Sequence, residues 1–313
     1  MSIEIEERLD KIPIVGYLVG LLKKIRLPGF EGLSIYDLTE MYFIGVIKGA
    51  LTDRASAIAY SFFLALFPFL LFILNLIPYV PMEGFQENFI VFIESLLPPQ
   101  TVGFFDTIIE DIGKNQRGGL LSSAFLLSIF TMANGINAIF GGFENSYHSV
   151  NTRNMVRQYL VAVGVAMLMA LVLLSSVVGF VVYEIYVGHI VTDLVTSASN
   201  GPVGSGETLG VKLGRFFFFV VIIFFTTAML YYFGTSEGKQ TKFFSPGAVM
   251  STILIIMTTY FFGIYIENFS KYNELYGSIG ALLILMLYIW LNSNIVLLGF
   301  ELNASLRSLR RNF

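Results

Sequence analysis

The chain has 313 residues, 55% of them hydrophobic and 13% charged, with a formal net charge of −3. A soluble domain carries roughly 25% charged residues, so there is too little charge here to cover a water-exposed surface and too much apolar mass for one core. This excludes intrinsic disorder and an ordinary cytosolic enzyme and points to a membrane protein.

In chain order, the first segment is MSIEIEERLDK. It is acidic where a cleavable leader needs a basic start and an apolar run, so none is expected. Residues 35–51 place Leu38, Met41, Tyr42, Gly45 and Ile47 at helical spacing and predict an interfacial helix. Spans of about 20 apolar residues follow at 57–80, 119–143, 160–183, 213–233, 246–266 and 278–303. Pro68 and Pro78 predict kinks in the first. Between the first two, apolar stripes at Phe85–Leu97 and Val102–Ile112, separated by Pro98 and Pro99, predict two short amphipathic helices capping the outer face. Residues 197–206 read as a flexible outer loop.

The expected class is all-α, a polytopic membrane protein of six transmembrane helices plus short amphipathic interfacial helices. Its parts are an N-terminal segment with the interfacial helix (1–56), a transmembrane domain (57–303) and a basic tail (304–313). Orientation follows from lysine and arginine. One side holds Arg8, Lys11, Lys23, Lys24, Arg26, Lys48, Arg54, Arg153, Arg157, Lys239, Lys242, Arg307, Arg310 and Arg311; the other holds Lys114, Arg117, Lys212, Arg215 and Lys271. Both termini are therefore expected in the cytoplasm, in a bacterial inner membrane.

The chemistry inventory is thin. Cysteine is absent, and the two histidines, His148 and His189, fall on opposite predicted sides. No HExxH, phosphate-binding GxxxxGK[ST] or GxSxG motif occurs. No catalytic residue, metal or cofactor is expected, and nothing favours a nucleic-acid partner. The interior relies on amides: Asn75 in the first span, Asn134 and Asn137 in the second, Asn292, Asn294 and Asn303 in the sixth. Asn134 shares a helix face with Asn137, and Asn292 shares one with Asn303. An amide needs a partner in hydrocarbon, so these faces are expected to point inward. They serve either as ties between helices or as the lining of a cavity. Glu301, near the end of the sixth span, is either a carboxylate at the water interface or a buried functional group. Arg54, Arg153 and Arg157 lie at one membrane boundary, either as snorkelling anchors or as a basic cluster for anionic headgroups.

Three ordered segments resemble the YihY/BrkB-type bacterial inner-membrane proteins. They are RASAIAYSFFLALFPFLLFI, beginning at Arg54; NAIFGGFENSYHSVNTRNMVRQ, with Asn145, Tyr147 and Arg153; and a C-terminal stretch. The last opens on Pro246, Gly247 and Ala248, turns at Tyr276, Gly277 and Ser278, and closes on Leu298, Gly299, Glu301, Leu302 and Asn303. The resemblance spans residues 36–306. It implies a six-helix integral inner-membrane protein linked to envelope and surface phenotypes. Some members carry the label ribonuclease BN, to which this sequence, without a metal site or basic face, gives no support. The expected function is transport or facilitation of a lipid or other amphiphilic envelope component, with membrane lipids as partners. The alternatives are an envelope scaffold and, third, an intramembrane enzyme using Glu301.

Overall fold

The computed structural model describes residues 50–76, 118–146, 153–183, 209–236, 243–268 and 278–312, together with single positions 24, 34, 36 and 40. Six long helices carry the fold: α1 (Leu51–Leu76), α2 (Gly118–Glu144), α3 (Met155–Val182), α4 (Leu209–Gly234), α5 (Pro246–Asn268) and α6 (Ser278–Asn312). All six are long and apolar enough to cross a membrane. The protein is an all-helical, multi-pass membrane protein. The predicted interfacial helix at 35–51, the outer amphipathic segments, the 197–206 loop, Pro78, His148 and His189 lie outside the described residues, apart from single positions in the first.

Helix boundaries differ from the hydropathy reading at both ends of the bundle. α1 begins at Leu51 rather than 57, with Asp53 and Arg54 already in its first turn. An acidic residue there is favoured by the free N–H groups of the helix start. α6 continues past 303 to Asn312, since Arg307, Arg310 and Arg311 suit a helix C-terminus. Pro68 sits inside α1, which continues as helix through to Leu76.

The helices pack in chain order as a ring, each against the next, and α6 closes it against α1. The contact is broadest between α1 and α2 and thinnest between α3 and α4. Small and apolar residues recur at helical spacing on the buried faces. On α2 these are Ala133, Ile136, Phe140 and Phe143; on α3 they are Ala162, Val165, Ala166 and Met169. Alanine on such faces lets backbones approach closely, which matters in lipid, where tails are as apolar as leucine and packing drives association. The outer surface is apolar too: Leu126, Phe217 and Leu171 are exposed, as a lipid-facing wall requires.

Candidate functional site

The alternating helix directions bring six helix ends together at one end of the bundle, the end that carries Arg54. There Arg54, on the first turn of α1, donates from Nη2 to Glu301 Oε1 on α6 (2.8 Å) and from Nη1 to the Gly142 carbonyl on α2 (2.7 Å). Ser146 Oγ donates to the other Glu301 oxygen (2.8 Å). The Arg54 side chain is 8% exposed and Glu301 is 0% exposed. Glu301 is therefore a buried carboxylate rather than one at the water interface, and Arg54 is no snorkelling anchor. A lone charge in this setting is costly, and the pair with its added hydrogen bonds answers that cost.

Next to the ion pair, Asn303 accepts from the Gly247 N–H (2.9 Å) and donates to Ser245 Oγ (2.9 Å), fastening the start of α5 to α6. A side chain on Gly247 would collide with the Gly299 backbone and Asn303, and one on Gly299 with Ser251 and Tyr231. Both positions need glycine because α5 and α6 touch backbone to backbone there. Tyr231 on α4 donates to the Val296 carbonyl (2.8 Å) and pairs with Ser251 Oγ (2.6 Å). Phe143 and Phe300 stack at 4.2 Å with an interplanar angle of 8°. The result is a dense plug joining α1, α2, α4, α5 and α6.

Arg153, just before α3, donates to the Phe233 and Thr235 carbonyls at the end of α4 (2.7 and 2.6 Å). Burial pushes its pKa below the usual arginine value; nearby Glu144 opposes the shift and Arg157 adds to it. Glu144 accepts from the Arg153 backbone N–H (3.0 Å) and from the Gln158 amide (2.9 Å), in the amide orientation its surroundings require. Arg157 is exposed. Of the three arginines read as a headgroup cluster, Arg54 and Arg153 are occupied with protein partners and Arg157 faces outward.

Beside the plug the six helices border a partly open cavity of about 600 Å³, within the roughly 300–1,000 Å³ of small-molecule sites. All six helices line it: Ile58 and Phe62 from α1, Ile139 from α2, Met169 from α3, Phe219 and Thr227 from α4, Ile256 and Thr259 from α5, and Tyr288, Asn292 and Val296 from α6. No charged side chain is among its described lining residues. Asn292 lies about 13 Å along α6 from Glu301, at 1.5 Å per residue, within the apolar span Leu282–Ser308. Its Nδ2 donates to the Tyr288 carbonyl one turn back (2.8 Å), while its buried Oδ1 has no partner. An orphaned buried acceptor costs about 1–3 kcal/mol.

The amides read from sequence thus divide. Asn303 ties helices and Asn292 faces the cavity. Asn294 donates to the Trp290 carbonyl of its own helix (2.8 Å). Asn137 lines a separate surface cleft of about 480 Å³ with Gln158 and Tyr159. Asn134 is exposed, which corrects the inward-facing expectation: α2 turns its apolar face, with Ile136 and Phe140, to the core, and Asn134 falls on the opposite side. The side chain of Asn75 lies outside the described residues. Among the described residues no cluster of His, Cys, Asp or Glu is placed to hold a metal ion.

The sequence pattern of a family described as Virulence factor BrkB matches residues 45–312. The chain belongs to the BrkB family. Putative ribonuclease-like protein YfkH of Bacillus subtilis (strain 168) is 27% identical over 259 residues, covering 83% of this chain and 91% of that protein. A UPF0761 membrane protein of Xanthomonas oryzae pv. oryzae (strain PXO99A) is 42% identical over 65 residues, 21% of this chain and 15% of its own length. UPF0761 membrane protein XAC0937 of Xanthomonas axonopodis pv. citri (strain 306) matches to the same extent. No solved structure matches the chain.

This family membership gives the plug a further meaning. The segments that carried the resemblance to BrkB-type proteins are far apart in sequence but meet here: Arg54 from the first, Gly142 and Ser146 from the second, and Gly247, Gly299, Glu301 and Asn303 from the third. Sequence reasoning missed Ser146, Tyr231, Ser245 and Ser251 as partners. The glycines flanking the C-terminal motif were the available signal, since paired close approaches demand them.

Proposed function

We propose that this BrkB-family chain binds a lipid or other amphiphile and facilitates its movement across or within the bacterial inner membrane, with both termini in the cytoplasm. The observation that carries this reading is the cavity of about 600 Å³. It is largely apolar and lined by residues from the apolar stretches of all six helices. The bias of lysine and arginine toward the Arg54 side supports the orientation. Glu301, with both oxygens engaged, acts here as a structural anion, and the reading contains no catalytic step. YfkH is named ribonuclease-like; that name assigns no residue of this chain a role in cleaving RNA.

The test is transport by purified full-length chain in liposomes, followed with headgroup-labelled fluorescent phospholipid, a labelled long-chain alcohol and a labelled diacylglycerol, with and without an imposed proton gradient. Leaflet exchange of at least one probe above protein-free vesicles is expected. It should be abolished by Ile223→Phe, which fills the cavity wall. Exchange at the protein-free rate for all probes would overturn the proposal and favour a scaffold role.

A further inference from the structure

The seams between neighbouring helices are not tied alike. α3 and α4 are held at both ends. Arg153 bonds the Phe233 and Thr235 carbonyls at the plug end. At the far end Phe180 packs on Phe218 and Phe219, each at 5.9 Å, and Tyr183 stands where a side chain on Gly214 would go. α5 and α6 are tied beyond the plug by Thr259 and Tyr288 (2.7 Å) and by the Phe262 and Tyr288 rings (5.3 Å). The hydrogen bonds described between α4 and α5, Tyr231 with Ser251 (2.6 Å) and Thr227 with Thr252 (3.5 Å), both lie at the plug end.

Burial follows the same gradient. On α4, Thr227, Ile223, Phe219 and Phe216 recur every three or four residues and so share a face. On α5, Thr252, Ile256, Thr259, Tyr260 and Gly263 do the same. At the plug end of these facing stripes Thr227 is 3% exposed and Thr252 4%. Away from the plug Phe216 is 55% exposed and Tyr260 66%, and a side chain added at Gly263 would meet nothing. Phe216, Thr259 and Tyr260 line the cavity and are also exposed, within spans apolar enough to sit in hydrocarbon. Residues that do both form the rim of an opening toward the bilayer. α4 and α5 therefore part as a wedge whose point is the plug.

Resting on the lipid-handling reading above, we propose that this wedge is a lateral mouth through which one acyl chain of a bilayer phospholipid enters sideways, its head remaining outside the cavity. The cavity lining runs from Phe216 to Leu230 along α4, about 21 Å at 1.5 Å per residue, which exceeds half of the roughly 30 Å hydrocarbon thickness and so takes the chain of one leaflet lengthwise. No charged side chain is among the described lining residues, and a charged head drawn into such a place would lose its hydration without a counter-charge. The site thus reads the chain and is indifferent to the head.

The absence of cysteine makes this testable, since introduced thiols are labelled uniquely. Full-length chain is reconstituted in phosphatidylcholine vesicles containing a trace of phosphatidylcholine or of phosphatidylglycerol with a diazirine midway along one acyl chain. After irradiation, adducts are mapped by mass spectrometry. Met169 and Ile139 line the cavity from α3 and α2 and are buried, so lipid outside the ring does not reach them. Both should be labelled, by the two heads within about twofold of each other. In a Phe216→Cys, Tyr260→Cys variant, stapled across the rim with a flexible bismaleimide, labelling of Met169 and Ile139 should fall by about tenfold or more. The two single variants capped with a monomaleimide should label like the unmodified chain. Both substitutions sit at exposed positions, where folding is least at risk.

Inner-wall labelling that survives the staple unchanged overturns the mouth and leaves the lipid-handling reading standing, since a chain still enters by another seam. Labelling of the inner wall by one head about tenfold above the other overturns the proposal that only the chain is read, again with the lipid reading intact. If neither lipid labels Met169 or Ile139 in the unmodified chain, both the proposal and the reading beneath it fall. The comparison of heads needs no variant, so it decides that half of the proposal even where the stapled chain does not fold.

Discussion

The plug and the cavity are built by the same helices from the same kinds of residue, and they use their polar groups in opposite ways. In the plug, Arg54, Glu301, Ser146, Asn303 and Tyr231 reach across to a different helix or to the connection beyond it. Around the cavity, Ser293 and Asn292 bond back to carbonyls of their own helix; Thr227 and Thr259 do the same, with added contacts to Thr252 on α5 (a long 3.5 Å) and Tyr288 on α6. Cross-helix bonds lock the distance between elements. Bonds returned to the same helix satisfy a hydroxyl and leave the neighbouring helix free to stand off. The difference teaches that polar content alone does not say where a membrane bundle is tight. The destination of each proton does.

That contrast breaks most sharply at Glu301. Glu301→Ala leaves the Arg54 guanidinium buried without its counter-charge and should cost about 3–5 kcal/mol, read as a lower midpoint in thermal unfolding of the detergent-solubilised protein. Adding Arg54→Leu should recover part of the loss. A double variant no more stable than Glu301→Ala would mean the pair is not the keystone of this end. Gly299→Ala is the next largest. Its new methyl must displace Ser251 and Tyr231, at about 1–3 kcal/mol, by the same measurement. Tyr231→Phe removes a bond to Val296 and a contact to Ser251 and should cost about 1 kcal/mol. Smallest in stability is the cavity variant Ile223→Phe, expected within about 1 kcal/mol of the unmodified chain because the added ring occupies empty space; lipid exchange should nonetheless be lost. Plug variants that change exchange without changing stability, or a cavity variant that unfolds the bundle, would erase the distinction between the two regions.

Much of the architecture was readable beforehand because a span is a local property. Twenty apolar residues in a row must become a helix in hydrocarbon, whatever their neighbours. The ends were harder to read. Asp53 and Arg54 look like a boundary to a hydropathy window, yet they belong to the first turn of α1, where helix-end electrostatics and a distant carboxylate hold them. Asn292 and Asn303 share a helical face, and that periodicity was legible. Their different fates were not. One meets the start of α5 at Ser245 and Gly247, where the ring is closed; the other meets open space, where the ring stands apart. Asn134 shows the reverse failure. The rule that an amide in a span points inward gave way to a stronger one, that Ile136 and Phe140 on the other face of α2 fill the core.

By itself, then, the sequence determined a membrane protein of six helices, the sorting of its basic residues to one side, and the scarcity of charge within, because hydropathy and charge act residue by residue against the bilayer. Only the tertiary structure decided that Arg54 and Glu301, 247 positions apart, neutralise one another. Only it decided that the scattered signature segments form a single plug, and that Asn292 lines a cavity while Asn303 ties two helices together. Those outcomes depend on which helix ends converge and how closely the backbones approach, and no local pattern encodes that.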